Sequence, residues 1–336
     1  MLSAPSQVLL RNTEHFEQGK WLVVNPTEAE IFNQLGDAQF HGFHQYFDVY
    51  QACAGSFDPK QHTFGAHCED QHAFDGAIIY MPKAKDQALM LIANMAAAVK
   101  PGGSIFLVGE NKSGIKNAEK LCQNVSAQTN KIDSARHCAL YCAHIEHDHS
   151  FELTDWLSYK DIQLGETSCS IAFLPGVFNA GQLDPGTKLL IENIKPDISG
   201  KVLDFACGAG VIACFVGKQF ADVQLTLSDV SALAITCAKL SLEKNDLKGD
   251  VIASDGLAQI QGSFDHIMTN PPFHTGIKTD YSITQTFIQQ VGEHMHRNST
   301  LLVVANRFLP YSDLLKTAFG KVKTIAYTPK FNLYRC

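Results

Sequence analysis

The run Asn270-Pro271-Pro272-Phe273 carries the residue types best suited to chemistry in this chain. It follows Phe264 to Thr269, an apolar stretch that reads as a buried strand. An amine attached to a heteroaromatic ring is a poor nucleophile, because its lone pair is delocalised into the ring. Acceptors placed on its two N–H groups return electron density to nitrogen. The Asn270 side-chain oxygen and the Pro271 carbonyl can supply that pair. Neither proline brings a competing N–H, and both fix φ, which holds the carbonyl in direction. Phe273 offers a face on which the target ring can stack. Such a reaction rests on positioning and electrostatics, with no strong general base needed beforehand. A plain β-turn is the bland alternative, and the residues upstream weigh against it.

Those residues are Asp204-Phe205-Ala206-Cys207-Gly208-Ala209-Gly210, a strand running directly into a glycine turn. Gly208 and Gly210 let backbone approach a ligand that a Cβ would keep away. A lone GxG suits NAD or FAD equally, so the acids must decide. Asp204 precedes the glycines at the strand end, where it can accept from an amino-acid ammonium. Asp229 ends the next strand and is placed to accept from two ribose hydroxyls, with Val230 beside it. Ala213 stands where the third glycine of a phosphate-cradling GxGxxG would be. Asp255 follows a third strand and suits an adenine amino group. Simple helix capping is the alternative for each acid, and it weighs most for Asp255. The ligand set expected is therefore Asp204, Ala206, Gly208, Gly210, Asp229, Val230, Asp255 and Asn270.

Positioning these residues requires strands that alternate with helices. Lys201 to Phe205, Val223 to Leu227 and Val251 to Ala253 read as strands. Ser231 caps a helix with apolar positions at Leu233, Ile235, Ala238 and Leu242. Each candidate residue lies just past a strand's C-terminal end, where doubly wound α/β sheets bind ligands. The chain also repeats itself. Phe74 to Lys83 has the strand-then-proline form of Phe264 to Phe273, and Asp86 to Val99 reads as the helix after it. Ile105 to Glu110 then parallels the strand Leu301 to Asn306. In this first copy Tyr80 takes the place of Asn270, and Met81-Pro82-Lys83 replaces Pro-Pro-Phe. Its candidate first strand, Trp21 to Val24, runs into Asn25-Pro26-Thr27 without a glycine turn. The expectation is two tandem Rossmann-like α/β domains with doubly wound, mostly parallel sheets. The degenerate copy spans 1–165 and the working one 166–336.

Bulk properties narrow the class. A chain of 336 residues, 45% hydrophobic and 18% charged, is an ordinary globular composition of two-domain length. The segment Met1 to Arg11 lacks the charged start and apolar run of a signal peptide. No apolar stretch approaches the roughly 20 residues that cross a bilayer. The ten cysteines form no CxxC pair and read as reduced thiols, which points to the cytoplasm. The net charge is −7, and all of it lies in residues 1–165, with 12 basic against 19 acidic side chains. That argues against a non-specific nucleic-acid coat but not against RNA, since local clusters decide binding. One basic cluster closes the chain at Lys316, Lys321, Lys323, Lys330 and Arg335.

Taken together, the chain resembles the ribosomal RNA small subunit methyltransferase C family over nearly its whole length. The N-terminal marks are Gln7 to Arg11, Val108 to Gly114 and Asp133 to Arg136. The C-terminal marks are Leu174 to Phe178, the Asp204 loop, Asp229 to Ala232, Asn270 to His274, Ala305 to Tyr311 and Tyr334-Arg335. The resemblance implies a methyltransferase that uses S-adenosylmethionine to methylate N2 of one guanine of 16S rRNA, guanine 1207. The substrate it implies is the assembled 30S subunit, and a monomer acting without a membrane is expected. Two departures are Asp255, where the family pattern suggests Asn, and Phe205-Ala206 in the glycine loop.

The weaker signals have bland readings beside the functional ones. Phe178 either closes over the site or simply packs. Lys112, Lys116 and Lys120 would form a basic stripe on a helix, either a solvated face or an RNA-phosphate contact. Arg307 joins Phe178, Phe273, Lys112 and Lys116 as a candidate substrate contact. His137, Cys138, Cys142, His144, His147 and His149 cluster locally, but their spacing fits no common zinc pattern, and no metal is expected. The rival functions are a large-subunit guanine-N2 methyltransferase and a non-catalytic RNA-binding assembly factor. The second would lose residues in both copies, whereas Asp204, Gly208, Asp229 and Asn270 are all present.

Overall fold

A computed structural model describes residues 2–36, 39–178, 181–271 and 279–336, without the side chains of 279–283. The chain divides into two compact units, Met1–Leu157 and Ser158–Cys336.

The first unit contains β1 (Trp21–Val24), β2 (Phe40–His44), β3 (His62–Phe64), β4 (Phe74–Tyr80), β5 (Val99–Glu110), β6 (Thr129–Ala135) and β7 (Cys138–His144). Its helices are α1 (Ala4–Leu10), α2 (Ile31–Leu35), α3 (Phe47–Ser56), α4 (Lys85–Ala98) and α5 (Ala118–Cys122). The sheet order is β3-β2-β1-β4-β5-β7-β6, parallel from β3 to β5 and antiparallel at β7 and β6. Side chains alternate across a strand, so β4 feeds two cores. Ala77 and Ile79 pack with Leu22, Val24 and Leu107 on one face. Ile78 and Tyr80 pack with Trp21, Val23 and Phe106 on the other. Burial on both faces is why these strands read as continuous apolar runs.

The second unit begins with the hairpin β8 (Ser158–Leu164) and β9 (Thr167–Phe173), paired antiparallel along their whole length. That pairing puts the division ahead of the boundary expected at 165/166. The strands that follow are β10 (Gly200–Phe205), β11 (Val223–Asp229), β12 (Gly249–Ala253), β13 (Phe264–Thr269), β14 (Met295–Asn306), β15 (Lys323–Tyr327) and β16 (Phe331–Arg335). The helices are α6 (Pro185–Ile191), α7 (Val211–Gln219), α8 (Ala232–Lys244), α9 (Thr279–Gln290) and α10 (Tyr311–Phe319). Sheet order is β12-β11-β10-β13-β14-β16-β15, the order of the first unit strand for strand. The hairpin is tied down by the α8 end, where the Ala172 N–H donates to Ser241 Oγ and the Ser170 N–H to Asn245 Oδ1.

The internal repeat is thus a repeat of topology, and of register as well. Asp265 Oδ2 accepts from the Lys201 N–H at 2.7 Å, and Asp75 Oδ2 accepts from the Lys20 N–H at 2.7 Å. Both bonds pin the start of the central strand pair. In both sheets the strand order reverses beside the first strand, between β10 and β13 in the second unit. The carboxyl ends flanking that reversal form the crevice where such sheets take ligands. Among the described residues no helix is long and apolar enough to cross a membrane.

Candidate functional site

Asp204 and Asn270 flank the reversal point. In the β10/β13 pair Asp204 lies opposite Met268 and Phe205 opposite Thr269, so Asn270 is the first residue past the ladder. Asp229 ends β11, opposite Ala253 of β12. The three strand ends therefore bring Asp204, Asp229 and Asn270 to one edge of one sheet. The proximity of the two acids is felt electrostatically, since Asp229 raises the pKa of Asp204.

The turn after β10 is strained in a useful place. Ala206 has φ 57°, a left-handed conformation that Cβ disfavours. Gly208 at φ 54° and Gly210 at φ 78° continue the turn. The two glycines serve different ends. A Cβ on Gly208 would meet nothing within 4 Å, so this position faces open space. A Cβ on Gly210 would lie 3.1 Å from Leu227 Cδ2 and 3.3 Å from the Ala238 Cα. A side chain at Gly210 would therefore meet the close packing of α7 against α8 and β11, in a left-handed conformation that already disfavours it.

Asp204 is buried, 1% exposed, and Oδ2 accepts from the Ala213 N–H at 3.0 Å. Oδ1 is buried and has no partner among the described residues. Burial, with Asp229 adding to it, pushes this carboxyl up to about 7. A buried acceptor with no donor is costly, and a cationic donor would satisfy it. Asp229 is pushed up in pKa by burial too, against the backbone N–H groups that favour its charge. Its Oδ2 accepts from the Gly208 N–H at 2.9 Å and Oδ1 from the Ser231 N–H at 2.9 Å. The Val230 N–H also favours its charged form, and since a carboxylate offers about four lone-pair sites, capacity remains for a hydroxyl. An ammonium and a diol are the groups this pair of acids fits. Burial and the two acids raise the Cys207 thiol between them, which keeps it protonated and inert.

Asn270 is held from the other side. Nδ2 donates to Asp184 Oδ2 at 2.7 Å and to Thr187 Oγ1 at 2.9 Å, at the first turn of α6. Oδ1 is buried and unpartnered among the described residues. Sequence reading did not single out Asp184 or Thr187. The local signal was the helix start Asp184-Pro185, an N-cap followed by proline, and nothing in it points to a residue far along the chain. Pro271 is buried, while Pro272 and Phe273 lie outside the described residues.

The remaining candidates are placed more loosely. Val230 is half-buried just past β11, and Asp255 is exposed, its N–H donating to Gln259 Oε1 at 2.8 Å. Phe178 is 59% exposed. Arg307 follows β14 with its guanidinium 5.7 Å from the Tyr327 ring, next to Phe308, which is 76% exposed. Lys112 pairs with Glu110 at 2.9 Å. The basic stripe expected of Lys112, Lys116 and Lys120 does not form. Gly114 at φ 85° breaks the segment into two short 3-10 turns before α5, so the lysines share no helix face.

The same edge of the first unit is closed. Its register sets Val23 opposite Ile78 and Val24 opposite Ile79, so Tyr80 holds the position of Asn270 and Val23 that of Asp204. The Tyr80 hydroxyl is bonded to Ser6 Oγ at 2.8 Å. Asn25 follows β1, accepts from the Gln45 N–H and donates to Gln45 Oε1. By register His44 replaces Asp229. It forms a buried imidazole pair with His62 at 3.1 Å, and burial lowers its pKa to about 3. With Cys53, these are the only three side chains among the described residues whose metal-ligating atoms converge. The His137–His149 cluster does not come together in this way.

Comparison with known proteins agrees with both halves. Residues 168–335 match the "Methyltransferase small domain" family model, and 6–159 match "Methyltransferase small domain N-terminal". A Pseudoalteromonas atlantica protein called ribosomal RNA small subunit methyltransferase C is 49% identical over 341 residues, covering 100% of this chain and 99% of its own. The protein of that name from Alteromonas mediterranea is 41% identical, with 100% and 99% covered. Among solved structures, the T. thermophilus 16S rRNA N2 G1207 methyltransferase in complex with AdoMet and guanosine superposes with a TM-score of 0.88. It is 19% identical, with 99% of this chain and 91% of that one covered, a likeness of fold.

Proposed function

The chain belongs to the ribosomal RNA small subunit methyltransferase C family, and on that premise we propose that it methylates N2 of guanine 1207 of 16S rRNA within the 30S subunit, using S-adenosylmethionine. The observation that carries the reading is the pair of orphaned acceptors at one sheet edge, Asp204 Oδ1 and Asn270 Oδ1. One asks for a cation and the other for an N–H donor.

S-adenosylmethionine supplies, when bound, a methyl group on positively charged sulfur. Asp204 Oδ1 holds its ammonium, and Asp229 accepts from its ribose hydroxyls. Val230, Asp255 and the open space beside Gly208 line the rest, with Ala206 setting the turn. Asn270 Oδ1 and the Pro271 carbonyl accept from the two N–H groups of the guanine amine, which restores nucleophilicity to nitrogen. Asn270 Oδ1 is fixed before the substrate arrives, by the bonds of Nδ2 to Asp184 and Thr187, so this acceptor needs no reorganisation as charge develops. Phe273 and Phe178 supply faces for the base, and Arg307, Lys112 and Lys116 supply contacts to phosphate.

The first unit, by this reading, keeps the scaffold and gives up the site, serving as a support for substrate binding. The protein works in the cytoplasm as a monomer. The test is methylation of unmodified small subunits, large subunits and naked rRNA, with the modified nucleotide mapped. Methyl transfer to N2 of guanine 1207 in small subunits supports the reading. Transfer to large subunits alone makes the chain a 23S enzyme, and no transfer to any of the three makes it an RNA-binding relic.

A further inference from the structure

We propose that Asp184 and Thr187 are positioning residues that fix which end of the Asn270 amide meets the target amine. The inference rests on the reading of Asn270 given above. A carboxamide can sit either way round, and only one orientation presents an acceptor. The two N–H bonds of Asn270 are both used, one on Asp184 Oδ2 at 2.7 Å and one on Thr187 Oγ1 at 2.9 Å. A carboxylate has no proton to give. With the amide reversed, Asn270 Oδ1 would face Asp184 Oδ2 with no hydrogen between them. The acid thus acts as a one-way key and leaves Oδ1 as the unpartnered group.

The key is itself locked. Asp184 Oδ2 also accepts from the Thr187 N–H at 2.9 Å, as the N-cap of α6, with Pro185 fixing the first turn. The helix start is pressed onto the strand end. A Cβ on Gly186 would lie 2.8 Å from Val304 Cγ1, 2.9 Å from Asp184 Oδ2 and 3.4 Å from Asn270 Nδ2. Glycine at 186 lets the cap reach Asn270. The arrangement serves the acceptor by spending both donors elsewhere, so that neither competes for the substrate.

Single-turnover methylation of small subunits at saturating cofactor tests this, beside melting and cofactor binding. Asp184→Ser keeps a capping oxygen for the Thr187 N–H but is too short to reach Asn270. We expect the rate to fall on the order of 10–100-fold, less than loss of the acceptor itself would cost, with cofactor affinity and melting temperature held. Asp184→Asn, which retains an oxygen there, restores most of the rate. In an Asn270→Ala background Asp184→Ser should cost nothing more, because there is no amide left to orient. A wild-type rate in Asp184→Ser, or an equal loss in both backgrounds, overturns the proposal. If Asn270→Ala alone keeps the wild-type rate, the underlying reading of Asn270 fails instead, which separates the two outcomes.

Discussion

Val23 in β1 and Asp204 in β10 occupy the same register position of the same strand order, one per unit. An aliphatic side chain thus replaces a buried acid at the point where each sheet opens. Removing the acid removes the desolvation cost along with the acceptor, so the first unit packs an aliphatic side chain where the second buries a carboxyl. We expect the full-length chain to bind one S-adenosylmethionine, and Asp204→Ala to abolish saturable binding altogether. Calorimetry that finds a second site would show that the first unit has retained one, and binding undiminished by Asp204→Ala would remove Asp204 from the site.

Asp204 should also make the protein pH-sensitive. Its pKa is raised to about 7 by burial, so between roughly pH 4 and 7 the folded chain holds a proton that the unfolded chain has released. Stability of the free protein therefore falls as pH rises through that window. The cofactor ammonium favours the carboxylate, so cofactor affinity should fall as pH drops below about 7. Asp204→Asn should flatten the stability slope, raise the melting temperature at alkaline pH and weaken cofactor binding by at least about tenfold. A stability profile unchanged by the substitution would contradict this account.

Asp229 accepts from the Gly208 and Ser231 N–H groups and, on the proposed reading, uses its remaining capacity for the ribose hydroxyls of the cofactor. Asp229→Ala should weaken cofactor binding by about 1.5–3 kcal/mol, the usual worth of hydrogen bonds to a charged acceptor. Unaltered affinity by calorimetry would remove it from the site.

Asn270→Ala should leave cofactor affinity nearly intact and slow methyl transfer by about 10²–10³-fold, as when one preorganised hydrogen-bond partner is lost. RNA affinity should change little, because phosphate contacts supply most of it. Single-turnover rates beside direct binding of each ligand separate these effects, and a wild-type rate would end the mechanism.

Ala206 holds a left-handed conformation at φ 57°. Ala206→Gly should relieve about 1 kcal/mol of backbone strain, measured by chemical denaturation. A destabilised variant would mean that the Ala206 methyl packs against the turn more usefully than its conformation costs.

What the sequence determined by itself was local in character. Apolar runs marked the central strands, and acids or Asn-Pro-Pro at their carboxyl ends singled out Asp204, Asp229 and Asn270. Each depends only on the strand beside it, so short-range pattern suffices, and the same pattern read twice gave the duplicated fold. The spacing of Lys112, Lys116 and Lys120 makes a stripe only on a continuous helix, and Gly114 turns the backbone left-handed between them. Tertiary structure alone decided the rest. The β8–β9 hairpin belongs to the second unit because its strands pair with each other and bond to the end of α8. The neighbours that a side chain at Gly210 would meet, Leu227 and Ala238, lie on another strand and another helix. Asp184 reaches Asn270 across a separation of 86 residues. A carboxylate acts on whatever the fold brings within hydrogen-bond reach, and no periodicity along the chain records that distance.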